Sequence, residues 1–293
     1  MNVGPRPVYH LRLRSRDWTL GRRTLLMGIV NVTPDSFSDG GQWATRDAAV
    51  AHALALVEAG ADILDIGGES TRPFSDPVSM EEELNRVLPV IEEVRSRTDI
   101  PISVDTTKAA VAYRALRAGA DIINDVSALR FDPEMGAVAA ETGVPVILMH
   151  MLGTPKTMQE SPRYAALLSE IIRFLEERIE AAVAAGIARR QILVDPGIGF
   201  GKTVTHNLRL IRDLDALAVL ERPIVLGASR KRFIGTILDA PVHHREWGTA
   251  VANAFGIAAG AHIVRVHDVT AHRQAAVMAD ALRNAFWPEP SSQ

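Results

Sequence analysis

The sequence predicts an α/β fold, a (β/α)8 TIM barrel with an N-terminal β-hairpin. Three observations lead to this prediction. Eight short apolar runs are rich in β-branched residues. Longer segments with helical periodicity lie between these runs. Dividing residues 24–287 among eight units leaves about 33 residues per unit, which is the size of one βα repeat.

The eight runs are continuously apolar, which is typical of parallel strands that are buried on both faces. They are residues 25–30, 63–66, 102–104, 121–123, 146–149, 192–194, 224–226 and 263–266. No composition break separates the units, so one barrel is favoured over the two domains that chain length alone suggests. A doubly wound parallel sheet is the structural alternative.

The segments between the runs have helical patterns, and several end at a glycine just before the next strand. The clearest helical patterns cover residues 48–59, 80–97, 108–118 and 164–185. Gly60, Gly119 and Gly186 follow three of them. Glycine at this position ends a helix in the left-handed conformation, which supports the strand and helix boundaries.

The chain divides into an extension, a barrel and a tail. Residues 1–23 are predicted to form a hairpin extension of the same domain, because residues 9–20 alternate between apolar and polar. This hairpin could plug the N-terminal end of the barrel. Residues 24–287 form the predicted (β/α)8 barrel, and residues 288–293 are predicted to be a disordered tail.

Composition excludes several classes of protein. The chain has 293 residues, of which 47% are hydrophobic and 23% charged, the balance of an ordinary globular protein. The formal net charge of −3 offers no positive field for nucleic acid. The absence of cysteine excludes disulfides, cysteine–zinc sites and a thiol nucleophile. It is compatible with a reducing cytoplasm, the location that we expect.

No membrane partner is expected either. The first 20 residues contain four arginines and no following apolar run, so they are not a signal peptide. Residues 247–264 have no charged side chain and approach the length of a membrane span. However, Asn253, His262 and three glycines interrupt this stretch, which favours a buried helix followed by a buried strand.

Two apparent ligand motifs are weak. Residues 195–203 (DPGIGFGKT) resemble a phosphate loop, but Pro196 and Lys202 occupy positions where the nucleotide-binding motifs need glycine. His243 and His244 lie near Glu246 and could bind a metal. A solvated loop is the favoured interpretation there, because no third ligand is placed nearby.

Polar residues follow the predicted strands at their C-terminal ends, where TIM barrels build their active sites. In strand order they are Asn31, Asp65, Asp105, Asn124, Asp125, His150, Asp195, Ser229, Arg230, Lys231, Arg265 and His267. Carboxylates and an amide in a ring suit a flat heterocycle with an N–C–N donor edge. The alternative is that Asp105, Asn124 and Asp195 are helix N-caps.

Basic residues cluster on the last two loops, apart from these carboxylates in the sequence. Lys231, Arg265 and His267 occupy the usual phosphate position of a barrel, although solvated surface cations are the alternative. The pattern predicts a ligand with a hydrogen-bonding ring and an anionic tail.

Motifs along almost the whole chain after residue 23 carry a specific resemblance. They are residues 28–41 (GIVNVTPDSFSDGG), 65–73 (DIGGESTRP), 103–106 (SVDT), 123–125 (IND), 148–151 (LMHM), 155–159 (PKTMQ), 195–202 (DPGIGFGK), 229–231 (SRK) and 265–268 (RVHD). Some are weak alone, but in this order and spacing the chain resembles the dihydropteroate synthase family of folate biosynthesis.

The resemblance implies a transferase with a pterin-binding barrel. It implies condensation of 6-hydroxymethyl-7,8-dihydropterin pyrophosphate with p-aminobenzoate, through Mg²⁺-assisted loss of pyrophosphate and attack by the aryl amine. It also implies a sulfonamide target and a homodimer in which the last helices pack together; the apolar helix within residues 247–261 could supply that face or belong to the internal core.

The resemblance also implies roles for individual residues. Asp105, Lys231 and Arg265 would be catalytic, and Asn31 would help to hold Mg²⁺. The pterin and pyrophosphate would contact Thr71, Arg72, Asp105, Asn124, Asp195, Lys231, Arg265, Val266 and His267. The p-aminobenzoate and the closing loops would involve Phe37, Pro73, Phe200 and Ser229.

Two positions depart from the family pattern. Phe74 stands where a small residue usually follows Thr-Arg-Pro, and Ala228 stands where Met or Thr is common. Both bear on loop closure and p-aminobenzoate affinity rather than on the reaction.

Two other functions are alternatives. A methyltetrahydrofolate:corrinoid methyltransferase shares the pterin-binding barrel but needs no residues that bind pyrophosphate. A silent pterin-binding paralogue is the non-enzymatic alternative.

Overall fold

A computed structural model describes residues 6–14, 16–33, 41–71 and 75–285, with side chains from residue 46 onward in the first barrel helix. The predicted tail at residues 288–293 lies outside the described residues.

Eight parallel strands form the central sheet, as predicted. They are β3 (Leu25–Asn31), β4 (Ile63–Gly67), β5 (Ile102–Asp105), β6 (Ile122–Asp125), β7 (Val146–Met149), β8 (Ile192–Asp195), β9 (Val225–Leu226) and β10 (Ile263–Val266). Their spatial order is β8-β7-β6-β5-β4-β3-β10-β9. A single bridge from Val194 to Ile224 joins the two ends of this order, so the barrel is nearly closed. The barrel prediction is therefore confirmed, and the doubly wound sheet is wrong.

Helices surround the barrel. They are α1 (Gly41–Glu58), α2 (Met80–Arg97), α3 (Ala109–Ala118), α4 (Met135–Thr142), α5 (Leu167–Ala184), α6 (Val204–Arg212), α7 (Arg232–Leu238), α8 (Glu246–Ala258) and α9 (Val269–Asn284). Their apolar faces bury against the outer faces of the strands in one continuous core. Gly119 ends α3 with a φ of 125°, the positive value for which glycine was predicted there.

The N-terminal hairpin lies across one end of the barrel. Strands β1 (Tyr9–Arg12) and β2 (Asp17–Leu20) pair antiparallel. Leu11, Leu13 and Leu20 are buried in a second apolar cluster. Its other members are the N-terminal residues of seven barrel strands, namely Leu25, Met27, Ile63, Ile122, Ile147, Leu193, Val225 and Ile263. The hairpin therefore seals the N-terminal end and leaves the opposite end open.

The uncharged stretch near the C-terminus is a helix followed by a strand. Helix α8 ends at Ala258 and strand β10 begins at Ile263, so the predicted order of helix and strand is confirmed. The predicted burial of the helix is wrong, because Trp247, Val251 and Phe255 form an exposed face. None of the helices in the described part of the chain is long and apolar enough to cross a membrane.

Candidate active site

The polar strand ends meet at the open mouth of the barrel. Asp105 is in register with Gly67 of β4 and with Asn124 of β6, so the two side chains are neighbours on adjacent strands. Asp195 ends β8 opposite Met149. All three side chains are buried. The structure thus brings together the three residues for which helix capping was the alternative.

Arg265 lies among these carboxylates. Its Nε donates to Asp65 Oδ2 at 2.5 Å and its Nη2 donates to Asp105 Oδ2 at 3.0 Å. Asn124 Nδ2 also donates to Asp65 Oδ2, at 3.1 Å. Burial alone would lower the pKa of Arg265, but the facing carboxylates of Asp65 and Asp105 raise it. The guanidinium is therefore a fixed positive charge within the acidic half of the site.

Lys231 is also close to a carboxylate. An added side chain at Gly227 would come within 3.7 Å of Lys231 Nζ and 3.8 Å of Asp195 Oδ2, so both atoms border the space above Gly227. Lys231 Nζ donates to the carbonyl of Ile198. The expected separation of cations from carboxylates is thus wrong. Long side chains from β10 and from the loop after β9 reach across a mouth that is only one barrel wide.

One carboxylate oxygen of Asp105 accepts a hydrogen bond and the other has no partner among the described residues. Its Oδ1 is buried and has no hydrogen-bond partner among the described residues. Burial, followed by the negative charge of Asp65, raises the pKa of Asp105 to about 7, although Arg265 opposes the shift. A buried acceptor without a donor is costly in a folded protein. A ligand N–H that donates to Asp105 Oδ1 would therefore remove this cost.

The second carboxyl is paired differently. Asp195 Oδ1 accepts from the Gly197 amide at 2.6 Å. Burial raises the pKa of Asp195, while the nearby Lys231 opposes that shift. Burial also lowers the pKa of Lys231 to about 8, with Asp195 opposing. Near neutral pH, this side of the mouth therefore combines an ammonium with a carboxylate that is easier to protonate than usual.

Phe200 and Ser229 lie next to Lys231. The Lys231 ammonium is 4.6 Å from the centre of the Phe200 ring, a cation–π distance. Ser229 Oγ is 2.9 Å from His267 Nδ1 and accepts from the His267 amide at 3.3 Å. An aromatic face, a hydroxyl and an imidazole thus border the same opening.

In the glycine-rich segment at residues 195–203, Lys202 points into the protein. Lys202 is buried, and its Nζ contacts His150 Nδ1 at 2.8 Å and donates to the Phe200 carbonyl at 3.0 Å. Burial, and then the Lys202 charge, lower the pKa of His150 to about 2, so this imidazole is neutral. This inward-facing lysine agrees with the sequence-based rejection of a nucleotide-binding loop.

Three side chains from two other segments hold the same loop. Gln159 donates to the Gly199 carbonyl at 2.5 Å, and Tyr164 donates to the Gly201 carbonyl at 2.8 Å. Asn207 accepts from the Gly199 amide at 2.7 Å. The segment is therefore a rigid support for Phe200.

The remaining predicted residues occupy different places. Asn31 is the last residue of β3, in register with Gly67 at the mouth. Thr71 is half-buried. The Val266 side chain is buried in the outer core between strands and helices, so a ligand could meet only its backbone. Phe37, Arg72 and Pro73, together with the departing residue Phe74, lie outside the described residues.

The histidine pair near Glu246 is exposed. His243 and His244 pack against each other with ring centres 4.4 Å apart, while Glu246 bonds to Arg230 and His272. Within the part of the chain that the structure describes, no three potential His, Asp or Glu ligands cluster. The solvated-loop interpretation is the one that fits.

Sequence reasoning missed two contributors. Asp65 was recognised as a strand end but received no role, although it anchors both Arg265 and Asn124. Its position at the end of β4 was a sufficient signal. The His150–Lys202 pair was missed because residues 52 positions apart in the chain carry no local pattern.

Comparisons with known proteins agree with this geometry. Residues 27–267 match the family model for "Pterin binding enzyme". A dihydropteroate synthase of Synechocystis sp. is 50% identical over 91% of this chain and 92% of its own. Two solved structures each have a TM-score of 0.88 and 47% identity, and each covers 94% of this chain and 99% of its own. They are the Yersinia pestis dihydropteroate synthase with a sulfonamide drug and the Xanthomonas albilineans dihydropteroate synthase with 4-aminobenzoic acid. The chain therefore belongs to the pterin-binding enzymes and, among them, to the dihydropteroate synthases, which are transferases.

Proposed function

We propose that this chain condenses 6-hydroxymethyl-7,8-dihydropterin pyrophosphate with p-aminobenzoate to form 7,8-dihydropteroate and pyrophosphate. The buried, unpaired Oδ1 of Asp105 carries the proposal, because a pterin offers adjacent ring and amino N–H groups. The 4-aminobenzoic acid in the Xanthomonas albilineans relative supports the second substrate.

The pterin ring is assigned to the acidic half of the mouth. Asp105 accepts from the ring, and Asn124 can both donate and accept. Asp195 and Lys231 meet another edge of the ring, where the ammonium donates and the carboxylate accepts. Arg265, which now bonds to Asp105 Oδ2, stays beside the ring as a cation.

The pyrophosphate is assigned to the part of the mouth between Arg265 and His267, next to the acidic half. Arg265 supplies the positive charge there, His267 supplies an imidazole, and the backbone of Val266 lies between them. Asn31 supplies a hard amide oxygen at the mouth, which fits Mg²⁺ when the other ligands are phosphate oxygens and water. When bound, Mg²⁺ would neutralise charge on the leaving group. Arg265 does the same from the protein side and orients the phosphates.

The substitution breaks the bond from the methylene carbon to the pyrophosphate oxygen. Positive charge then develops on the methylene and spreads into the dihydropterin. The carboxylates of Asp105 and Asp195 stabilise that charge more than the neutral ground state. The aryl amine is neutral at pH 7, so it attacks the carbon directly and afterwards releases a proton. No strong general base is required.

The p-aminobenzoate is assigned to the opening beside Phe200 and Ser229. The Phe200 ring offers a face for the benzene ring, and the Ser229 hydroxyl offers a donor. Thr71 and the neighbouring Arg72 and Pro73, with Phe37 from the first loop, complete the site in this proposal and exclude water that would trap the cation.

Pyrophosphate release tests this function. Release is expected only with both substrates and Mg²⁺ present, and omission of p-aminobenzoate is the control. No release above background while the pterin still binds would overturn the proposal and favour the silent paralogue. A cytoplasmic location and a homodimer that forms through α8 belong to the same proposal.

A further inference from the structure

Arg230 has an unusual backbone conformation between two site residues. Its φ is 56°, in the left-handed region that non-glycine residues rarely adopt. It is the third residue of a turn that the Lys231 amide closes by donating to the Ala228 carbonyl at 3.3 Å. Glycine or asparagine is favoured at this turn position when φ is positive. An arginine there needs support from its surroundings.

The first turn of α8, with the residue before it, holds Arg230 at three points. The Arg230 amide donates to Thr249 Oγ1 at 3.0 Å. Its carbonyl accepts from Arg245 Nη1 at 3.1 Å, and its Nε donates to the carboxylate of Glu246. One helical turn thus satisfies both backbone polar groups and the side chain of a single strained residue.

The holding groups are themselves fixed. Thr249 is fully buried and donates its hydroxyl proton to the Arg245 carbonyl at 2.8 Å, which leaves an oxygen lone pair for the Arg230 amide. Glu246 Oε2 lies 3.0 Å from Nε2 of the buried His272 of α9. The support therefore extends from the turn through α8 to α9.

The residues on either side of Arg230 face the site. Ser229 contacts His267, and Lys231 reaches Ile198 and the Phe200 ring. We propose that Thr249 and Glu246 are positioning residues that hold Arg230 in its left-handed conformation and thereby aim Ser229 and Lys231 at the substrates. This inference rests on the proposed function and assigns these two α8 residues no contact with substrate.

Three threonine variants test the proposal. Thr249→Val keeps the shape but removes the acceptor for the Arg230 amide, and Thr249→Ser keeps the acceptor but removes a methyl group. Thr236→Val is the matched control, because Thr236 of α7 makes the same hydroxyl bond to a carbonyl four residues earlier, Arg232, at an exposed position. Each protein is assayed for kcat, both KM values and thermal unfolding.

We expect kcat/KM to fall by about tenfold or more in Thr249→Val and by less than about threefold in Thr249→Ser and Thr236→Val. Both Thr249 variants lose some thermal stability, so stability alone does not produce this difference. Equal kcat/KM in the valine and serine variants would overturn the inference. An inactive wild type would instead overturn the proposed function.

The pH dependence of pterin binding supplies a second readout. Lys231 is partly buried beside Asp195 and has a pKa lowered to about 8, so we expect wild-type affinity to fall above that pH. If Thr249→Val or Glu246→Gln releases Lys231 toward water, this alkaline limb shifts upward by about one pH unit or more. An unchanged limb in both variants would also contradict the inference.

Discussion

At the scale of single residues, the site combines burial with incomplete pairing. Asp105 and Asp195 are buried and Lys231 is partly buried, and burial moves the pKa values of all three toward neutrality. Asp105 retains an oxygen without a partner among the described residues, whereas Asp195 Oδ1 and Asp65 Oδ2 accept from donors of the protein. A substrate N–H that donates to this oxygen therefore removes the free-energy cost of burying it without a partner.

Asp105→Asn tests that account. The amide keeps the shape but loses the charge, and one of its two ends presents a donor to the ligand. We expect pterin affinity to fall by at least about tenfold, since charge-assisted bonds contribute about 1.5–3 kcal/mol, and turnover to be abolished. Titration calorimetry with an unphosphorylated pterin measures the affinity.

Asp99→Asn is the control for this variant, because that exposed residue lies between α2 and β5, away from the mouth. It should bind the pterin like the wild type. Pterin affinity of Asp105→Asn within about twofold of wild type would contradict the assigned role of Asp105.

The two shifted pKa values also predict a narrow optimum for pterin binding. Asp105 becomes a carboxylate as pH rises through about 7, and Lys231 loses its proton as pH rises through about 8. Affinity should therefore rise on the acid side, peak between these values and fall on the alkaline side. Fluorescence titration across about pH 5.5 to 9.5, corrected for ionisation of the ligand, measures the profile.

Lys231→Met should remove the alkaline limb and keep the acid limb. A profile that is flat in the wild type would show that neither group titrates in contact with the ligand.

At the scale of elements, the sequence located every barrel strand because continuous apolar runs are a strong local signal. The strand ends were less predictable. Asp105, Asn124, Asp125 and Asp195 are polar, so hydropathy excluded them, yet ladder hydrogen bonds extend β5, β6 and β8 through them. The side chains that matter most for binding are thus the ones that the apolar pattern leaves out.

The N-terminal hairpin is expected to contribute to the stability of the fold but not to catalysis. Leu20 is fully buried against the N-terminal ends of the strands, opposite the mouth. Leu20→Ala should lower the free energy of unfolding by about 2–5 kcal/mol, as for other buried leucines, and leave kcat per folded molecule unchanged. Denaturant unfolding and active-site titration together measure both quantities.

The control is Val8→Ala, since Val8 is half exposed beside the same hairpin and should change neither quantity. A lower kcat per folded molecule in Leu20→Ala would show that the hairpin affects the active site, and it would contradict this prediction.

At the scale of the whole molecule, the net charge of −3 conceals close opposite charges. In the sequence, the basic residues follow the last strands and the carboxylates follow the earlier ones. This order led to the expectation that the two kinds of charge lie apart in the fold. Closure of the barrel brings β10 beside β3, so that Arg265 reaches Asp65 and Asp105. Contacts between the first and last strands depend on this closure, which periodicity within one segment does not encode.

The outer surface has an uneven apolar distribution, which favours association of two copies. Trp247, Val251 and Phe255 of α8 are 85%, 60% and 50% exposed and repeat every four residues along one helix face. Val277, Met278 and Leu282 of the adjacent α9 are exposed as well. Exposed apolar patches of this kind mark interaction sites more often than scattered single residues do.

Charge substitution on this face tests the homodimer. We expect the wild type to sediment as a dimer and the Trp247→Glu/Phe255→Glu double variant as a monomer, because two carboxylates would be buried in the contact without partners. Analytical ultracentrifugation measures the mass, and Tyr113→Glu on α3, across the barrel from α8, is the control. A wild type that stays monomeric at every concentration would refute the assignment. Because Trp247 directly follows Glu246, loss of the dimer together with lower kcat/KM would further connect this face to the turn that carries Ser229 and Lys231.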